Sequence, residues 1–264
     1  MSTSLPPEIL DSIIDHLHND STALKGCCVV SKSWIHRTRS HLFARVEFRA
    51  PKSHFELWKK TFPDPPISPA HHTRHLSIYG LSHVTTADAE ACSWIRAFHN
   101  VEHLHLEALG WNDRSSLTLF HGLSPTLTSL YLANTYLEAL GLVCSFPLLE
   151  DLAVSFLDQG DDAWNTPSTS PKLTGSLSLR AVGDVYPVAR RLLDLPNGLH
   201  FTKIAVACIR QDVKSTADLV SRCSDTLESL SICYYVPGVF SSVSVTDRQL
   251  TTVHEYRNIW DAHA

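Results

Sequence analysis

One hexapeptide pattern, Φ-x-x-Φ-x-Φ with Φ apolar or threonine, governs most of this chain. It appears as Thr73-Arg74-His75-Leu76-Ser77-Ile78 and returns as Val101 to Leu106, Leu127 to Leu132, Leu149 to Val154, Thr174 to Leu179, Phe201 to Val206 and Leu227 to Ile232. The middle apolar residues fall at 76, 104, 130, 152, 177, 204 and 230, so successive copies are 28, 26, 22, 25, 27 and 26 residues apart. Alternating burial within each copy is the signature of a short strand. The length between copies suits a return segment, such as the helical patterns Ala87 to Phe98 and Val213 to Cys223, that brings the chain back beside the previous strand. A single copy cannot bury its own apolar face, and stacked copies can. The expectation is an α/β chain built on a parallel strand ladder.

Composition narrows the function classes. The chain has 264 residues and a formal charge of −5, which disfavours a protein that holds nucleic acid by overall positive charge. The longest stretch without Asp, Glu, Lys or Arg, Ser115 to Leu137, is broken by His121 and Pro125 and studded with Ser and Thr, so no membrane-spanning helix is expected. Met1 to Leu10 has neither a basic nor an apolar leader region, and the expectation is an intracellular protein, cytoplasmic or nuclear. Seven cysteines without a C-x-x-C pair argue against a disulfide framework or a zinc ribbon. The chain contains no G-x-S-x-G, G-x-x-x-x-G-K or H-E-x-x-H motif, so it is expected to be non-catalytic, with no cofactor and no resident metal.

Before the repeats the periodicity is helical. Pro6 and Pro7 open a helix whose apolar residues are Ile9, Leu10, Ile13, Ile14 and Leu17; Asp20 or Ser21 caps a second, with Leu24, Cys27, Cys28 and Val30; Trp34, Ile35, Leu42, Phe43, Val46 and Phe48 continue into a third. The basic residues Lys25, Lys32, Arg37, Arg39, Arg45 and Arg49 read as the solvated side of these helices.

The segments Leu5-Pro6-Pro7-Glu8-Ile9-Leu10 and Cys28-Val29-Val30-Ser31-Lys32-Ser33-Trp34, with Leu42-Phe43 after them, resemble an F-box. Gly26 departs from the pattern and costs roughly 1 kcal/mol of helix propensity. The resemblance implies a three-helix unit that binds the Skp adaptor of Skp-cullin-F-box ubiquitin ligases, and through it cullin. Carried over by position, adaptor contact falls on Leu5, Pro6, Ile9, Leu10, Ile13, Val29, Val30, Trp34 and Leu42. A second reading makes the same residues the core of a small helical cap. The repeats resemble an irregular leucine-rich-repeat array; the asparagine usual after L-x-L is out of register, Asn134 being one position early, which predicts an uneven arc.

This divides the chain into an F-box (1–50), a helical and proline-rich connector (51–71), the repeat array (72–240) and a C-terminal helical segment (241–264) that is either a cap or the start of a further repeat. Asp158 to Pro171 reads as a longer loop.

Side chains between the leucines point away from the core and are expected to line a concave face. Tyr79, His105, Glu107, Tyr131, Asp151 and Arg180 are the candidate contacts for a protein target, with a solvated strand face as the plainer alternative. His75 and His103 occupy equivalent positions, about 5 Å apart if the strands are adjacent, but no third zinc ligand is in register. The family resemblance implies a substrate receptor of a ubiquitin ligase. The alternative is an F-box and repeat scaffold with no role in ubiquitination; neither binds nucleic acid or membrane.

Overall fold

The computed structural model describes residues 6–49, 53–80, 89–108, 119–158, 169–180, 186–209, 213–236 and 239–246. Three helices come first: α1 (Pro7–His16), α2 (Ser21–Val30) and α3 (Lys32–Leu42). Pro7 takes the first helical position, where its missing N–H costs nothing. Asp20 caps α2, its Oδ1 accepting from Thr22 N at 3.0 Å and Ala23 N at 2.9 Å. Ser31 caps α3 through Ser33 N. Asp15 on α1 accepts from both Arg37 and His41 on α3, which ties the two helices together. Hydrogen bonds from Arg37 and then His41 hold the Asp15 carboxyl well below the usual carboxylate range.

The rest of the described chain is organised on a nine-stranded sheet whose strands follow sequence order. They are β1 (Arg45–Arg49), β2 (His75–Tyr79), β3 (His103–Glu107), β4 (Ser129–Tyr136), β5 (Asp151–Asp158), β6 (Ser176–Arg180), β7 (Lys203–Ile209), β8 (Ser229–Val236) and β9 (Val239–Thr246). All neighbours are parallel except β8 and β9. The register aligns two apolar columns across the parallel strands. Val46, Leu76, Leu104, Leu130, Leu152, Leu177, Ile204 and Leu230 form one; Phe48, Ile78, Leu106, Leu132, Val154, Leu179, Val206 and Ile232 form the other. Every member is buried.

Return segments cover the columns. α4 (Ser53–Thr61), α5 (Ala89–Arg96), α6 (Tyr186–Leu193) and α7 (Val213–Arg222) contribute buried Phe55, Trp94, Ile95, Val188, Leu192, Leu219 and Val220 to the same core. The shortest sequence interval, 130 to 152, is crossed by a 3-10 segment, Leu137–Ser145, with Leu140, Leu142 and Val143 buried. A 3-10 helix rises about 2.0 Å per residue against 1.5 Å for an α-helix, so fewer residues complete the return.

Two local readings of the sequence differ from this structure. Val46 and Phe48, grouped with the third helix, lie on β1, because Arg45 to Arg49 pairs with β2 and puts both residues into the columns. Residues 241–246, read as helical, belong to β9: Val and Thr recur among serines there, and β8 offers an open edge for pairing. The residues of the proposed C-terminal helix from Leu250 to Trp260, and most of the loop from Asp158 to Pro171, lie outside the described residues.

The connector does contain helix α4, and 3-10 turns follow at Pro65–Ile67 and Pro69–His72. Phe43, Phe48, Phe55, Trp58, Phe62 and Phe98 form edge-to-face and tilted ring contacts with centroids 4.9 to 5.9 Å apart. This cluster seals the β1 end of the core and joins the end of α3 to the sheet. Ala44 O reinforces the joint by accepting from Arg74 N and His75 N, both at 2.9 Å.

Candidate interaction surfaces

The helical unit keeps part of its apolar surface out of the core. Ile14 and Leu24 are 1% exposed, whereas Ile9, Ile13, Val29 and Val30 are 49, 47, 86 and 67% exposed. A ten-residue amphipathic helix buries one stripe of about 100°; here Ile14 faces inward while Ile9 and Ile13, four apart, share a face in solvent. Leu10, Trp34 and Leu42 are half-buried, and Pro6 is exposed. Thus the expected adaptor contacts Ile9, Ile13, Val29 and Val30 are not core, which removes the cap reading for those four. Leu5 lies outside the described residues. Gly26 has nothing within 4 Å of the position a Cβ would take, so its cost is helix propensity alone.

A second surface lies on the sheet face opposite the apolar columns. Register brings Tyr79 beside Glu107, and His105 beside Tyr131. The His105 ring sits between two tyrosines, 4.9 Å from Tyr79 and 4.4 Å from Tyr131, centroid to centroid. Its Nδ1 is 3.3 Å from the Tyr79 hydroxyl. Glu107 Oε2 is 3.3 Å from His105 Nε2, close enough for an ion pair but not aligned as a hydrogen bond. Burial lowers the His105 pKa, against the upward pull of Glu107, which favours the neutral ring. Asn134 Nδ2 donates to Glu107 Oε1 at 3.3 Å.

Arg49, which the sequence pattern does not single out, completes this group: its guanidinium lies 5.3 Å from the Tyr79 centroid and is paired to Glu47. The signal for it is Phe43-Ala44-Arg45-Val46-Glu47-Phe48, an eighth copy of the hexapeptide hidden by its position after a helix.

The other candidates stand apart. Asp151 is occupied by Ser176, whose backbone N and hydroxyl both donate to its Oδ1 at 2.7 Å. Arg180 is exposed at the end of β6, in register with Ser155, and so three strands, about 14 Å, from Glu107. His75 and His103 do stack, with centroids 4.3 Å apart and planes 4° from parallel. Parallel rings aim their nitrogens side by side, not at one point, and among the described residues no group of three or more His, Cys, Asp and Glu is arranged to hold a metal ion.

Among the described residues no helix is long and apolar enough to cross a membrane. The chain matches no protein-family model. No curated protein sequence matches it either.

Proposed function

We propose that this protein is a substrate-receptor subunit of a Skp-cullin-F-box type ubiquitin ligase, with an F-box in its N-terminal helices and a leucine-rich-repeat-like array after them. The observation that carries the reading is the solvent-facing set Ile9, Ile13, Val29 and Val30, on the first two of the three helices that hold the F-box-like sequence. Apolar side chains left in solvent on small helices, here two on α1 and two on α2, are what a docking surface offers a partner. The array then presents its open sheet face to a target protein. Held on one chain, target and adaptor complex stay near each other, and proximity raises the effective concentration for ubiquitin transfer by other subunits.

The test is co-purification with a Skp adaptor, comparing wild type with the pair Ile13→Asp and Val30→Asp. Capture by wild type and loss in the variant, with unchanged circular dichroism, is the expected result. Failure of folded wild type to hold any Skp adaptor would sink the receptor reading. The alternative, a binding scaffold with no role in ubiquitination, is separated by target turnover in cells: it retains adaptor binding but leaves the half-life of its captured partner unchanged.

A further inference from the structure

Among the described residues, Glu107 is a half-buried carboxylate without a cation of its own. Its side chain is 32% exposed, and its contacts are the imidazole of His105 and the amide of Asn134. Burial favours the neutral form of His105, and Asn134 carries no charge. Arg49, two strands away in the same row, is engaged by Glu47; that pair first, and Tyr79 and Glu107 more weakly, hold the guanidinium pKa up. A carboxylate partly removed from water, with no cation in direct contact, gains from a matched positive charge.

The surroundings suit such a charge. Tyr79 is the register neighbour of Glu107, and Tyr131 lies on the next strand, two residues before the neighbour on that side, Ala133. Aromatic faces attract cations, and Arg49 over Tyr79 already shows one such contact on this sheet. Beyond Tyr131 the outward positions in the same row are Ala153, Ser178, Ala205 and Ser231. None of these side chains extends past a methyl or a hydroxymethyl group. From β4 to β8 is four strand spacings, about 19 Å, and this low row beside the rings leaves room for an extended segment, with Asp151, Arg180 and Lys203 on the neighbouring outward positions of β5, β6 and β7.

We infer that Glu107, flanked by Tyr79 and Tyr131, receives a lysine or arginine side chain of a partner protein whose backbone lies over the small-residue floor of β5 to β8. The cation pairs with the Glu107 carboxylate while its aliphatic stem packs on Tyr131. This identifies the class of target for the open sheet face and rests on the receptor reading only in calling that partner a target.

Fluorescence anisotropy with the full chain tests it, using labelled Gly/Ser/Ala peptides that differ at one central residue: Lys, Arg, Glu or phosphoserine. The Lys and Arg peptides are expected to bind about tenfold more tightly than the Glu peptide, the effect of one charge-assisted contact. Glu107→Gln, which keeps the shape, should abolish that preference, and Tyr131→Ala should weaken both basic peptides. Glu150→Gln, an exposed carboxylate outside the group, should change nothing. Equal binding of basic and acidic peptides, no binding at all, or a preference that survives Glu107→Gln would overturn the assignment. Adaptor capture measured on the same preparations keeps the two readings apart: loss of peptide preference with adaptor binding intact defeats only this inference, and loss of adaptor binding with peptide preference intact defeats only the receptor reading.

Discussion

Asp151 does with its side chain what a backbone carbonyl does elsewhere on this sheet. At the strand entrances, the carbonyls of Ala44, Arg74, Glu102, Thr128, Gly175 and Thr202 each accept two consecutive N–H groups from the next strand, but Glu150 O accepts only from Gly175 N. The second donor, Ser176 N, goes to Asp151 Oδ1 at 2.7 Å, and Ser176 Oγ joins it. The close approach leaves no room for a side chain at 175: a Cβ there would stand 2.5 Å from Asp151 Oδ1 and 3.0 Å from Glu150 C and O.

Two variants follow from this contact. Asp151→Ala strands two donors and should destabilise the fold by about 1–2 kcal/mol. Gly175→Ala should cost about 1–3 kcal/mol through overpacking. In urea melts the double variant is expected to lose less than the sum, because deleting the carboxylate removes one of the clashes. Strict additivity would show that the Asp151 contact is not what excludes a side chain at 175.

Ala108 is held where glycine belongs. Gly80, Ala108 and Asn134 follow aligned strand positions and have φ of 69, 51 and 47°. The turn is kept because Gly80 N donates to Glu107 O and Ala108 N to Ala133 O. A left-handed backbone costs an alanine roughly 1 kcal/mol, and asparagine tolerates it better. Ala108→Gly is therefore expected to raise the urea midpoint, by a gain of about 0.5–1 kcal/mol offset in part by unfolded-state entropy. An unchanged or lower midpoint would count against strain at this position.

The hexapeptide alone makes the columns of the core legible: its middle apolar residues, Leu76 to Leu230, align in one register. The ends of the sheet escape it. At β1 the same pattern is masked by the helical run that precedes it, since Phe43 to Phe48 extends an apolar sequence that periodicity alone assigns to either element. At β9, the pairing partner decides the conformation, and partner contacts are absent from local sequence. The open face is legible as a set of positions but not as groups: Tyr79, His105, Glu107 and Tyr131 converge through register, whereas Asp151 is spent on Ser176, a contact that depends on the gap at Gly175.

Neighbouring isoleucines on α1 should separate folding from docking. Ile14→Ala removes a side chain that is 1% exposed and is expected to cost about 2–4 kcal/mol. Ile13→Ala, at 47% exposure, should change thermal stability by less than about 1 kcal/mol while reducing Skp-adaptor capture. If both variants melt alike, the inward and outward assignment of α1 is wrong.

Acid should loosen the junction between α3 and the connector through His72. Its ring stands at 3.9 Å from His71 and 5.1 Å from His36, centroid to centroid, and Asp15 is instead committed to Arg37 and His41. Burial first, then the positive charge of His71, His36 and Arg39, lower the His72 pKa from 6.5 to about 4. The unfolded chain therefore takes up a proton at this site before the folded protein does. Stability linked to His72 is present in full above pH 6.5, falls as pH drops from 6.5 to about 4, and changes no further below that. Lowered pKa values at His75, His105 and His121, all chiefly from burial, act in the same direction, while Asp15 contributes only at more acid pH. Urea melts across pH 7.5 to 4 should show a declining free energy of unfolding, and His72→Gln should make the decline shallower without removing it. A slope identical to wild type in that variant would mean that His72 titrates normally in the folded protein and that the three histidines do not crowd one another at this joint.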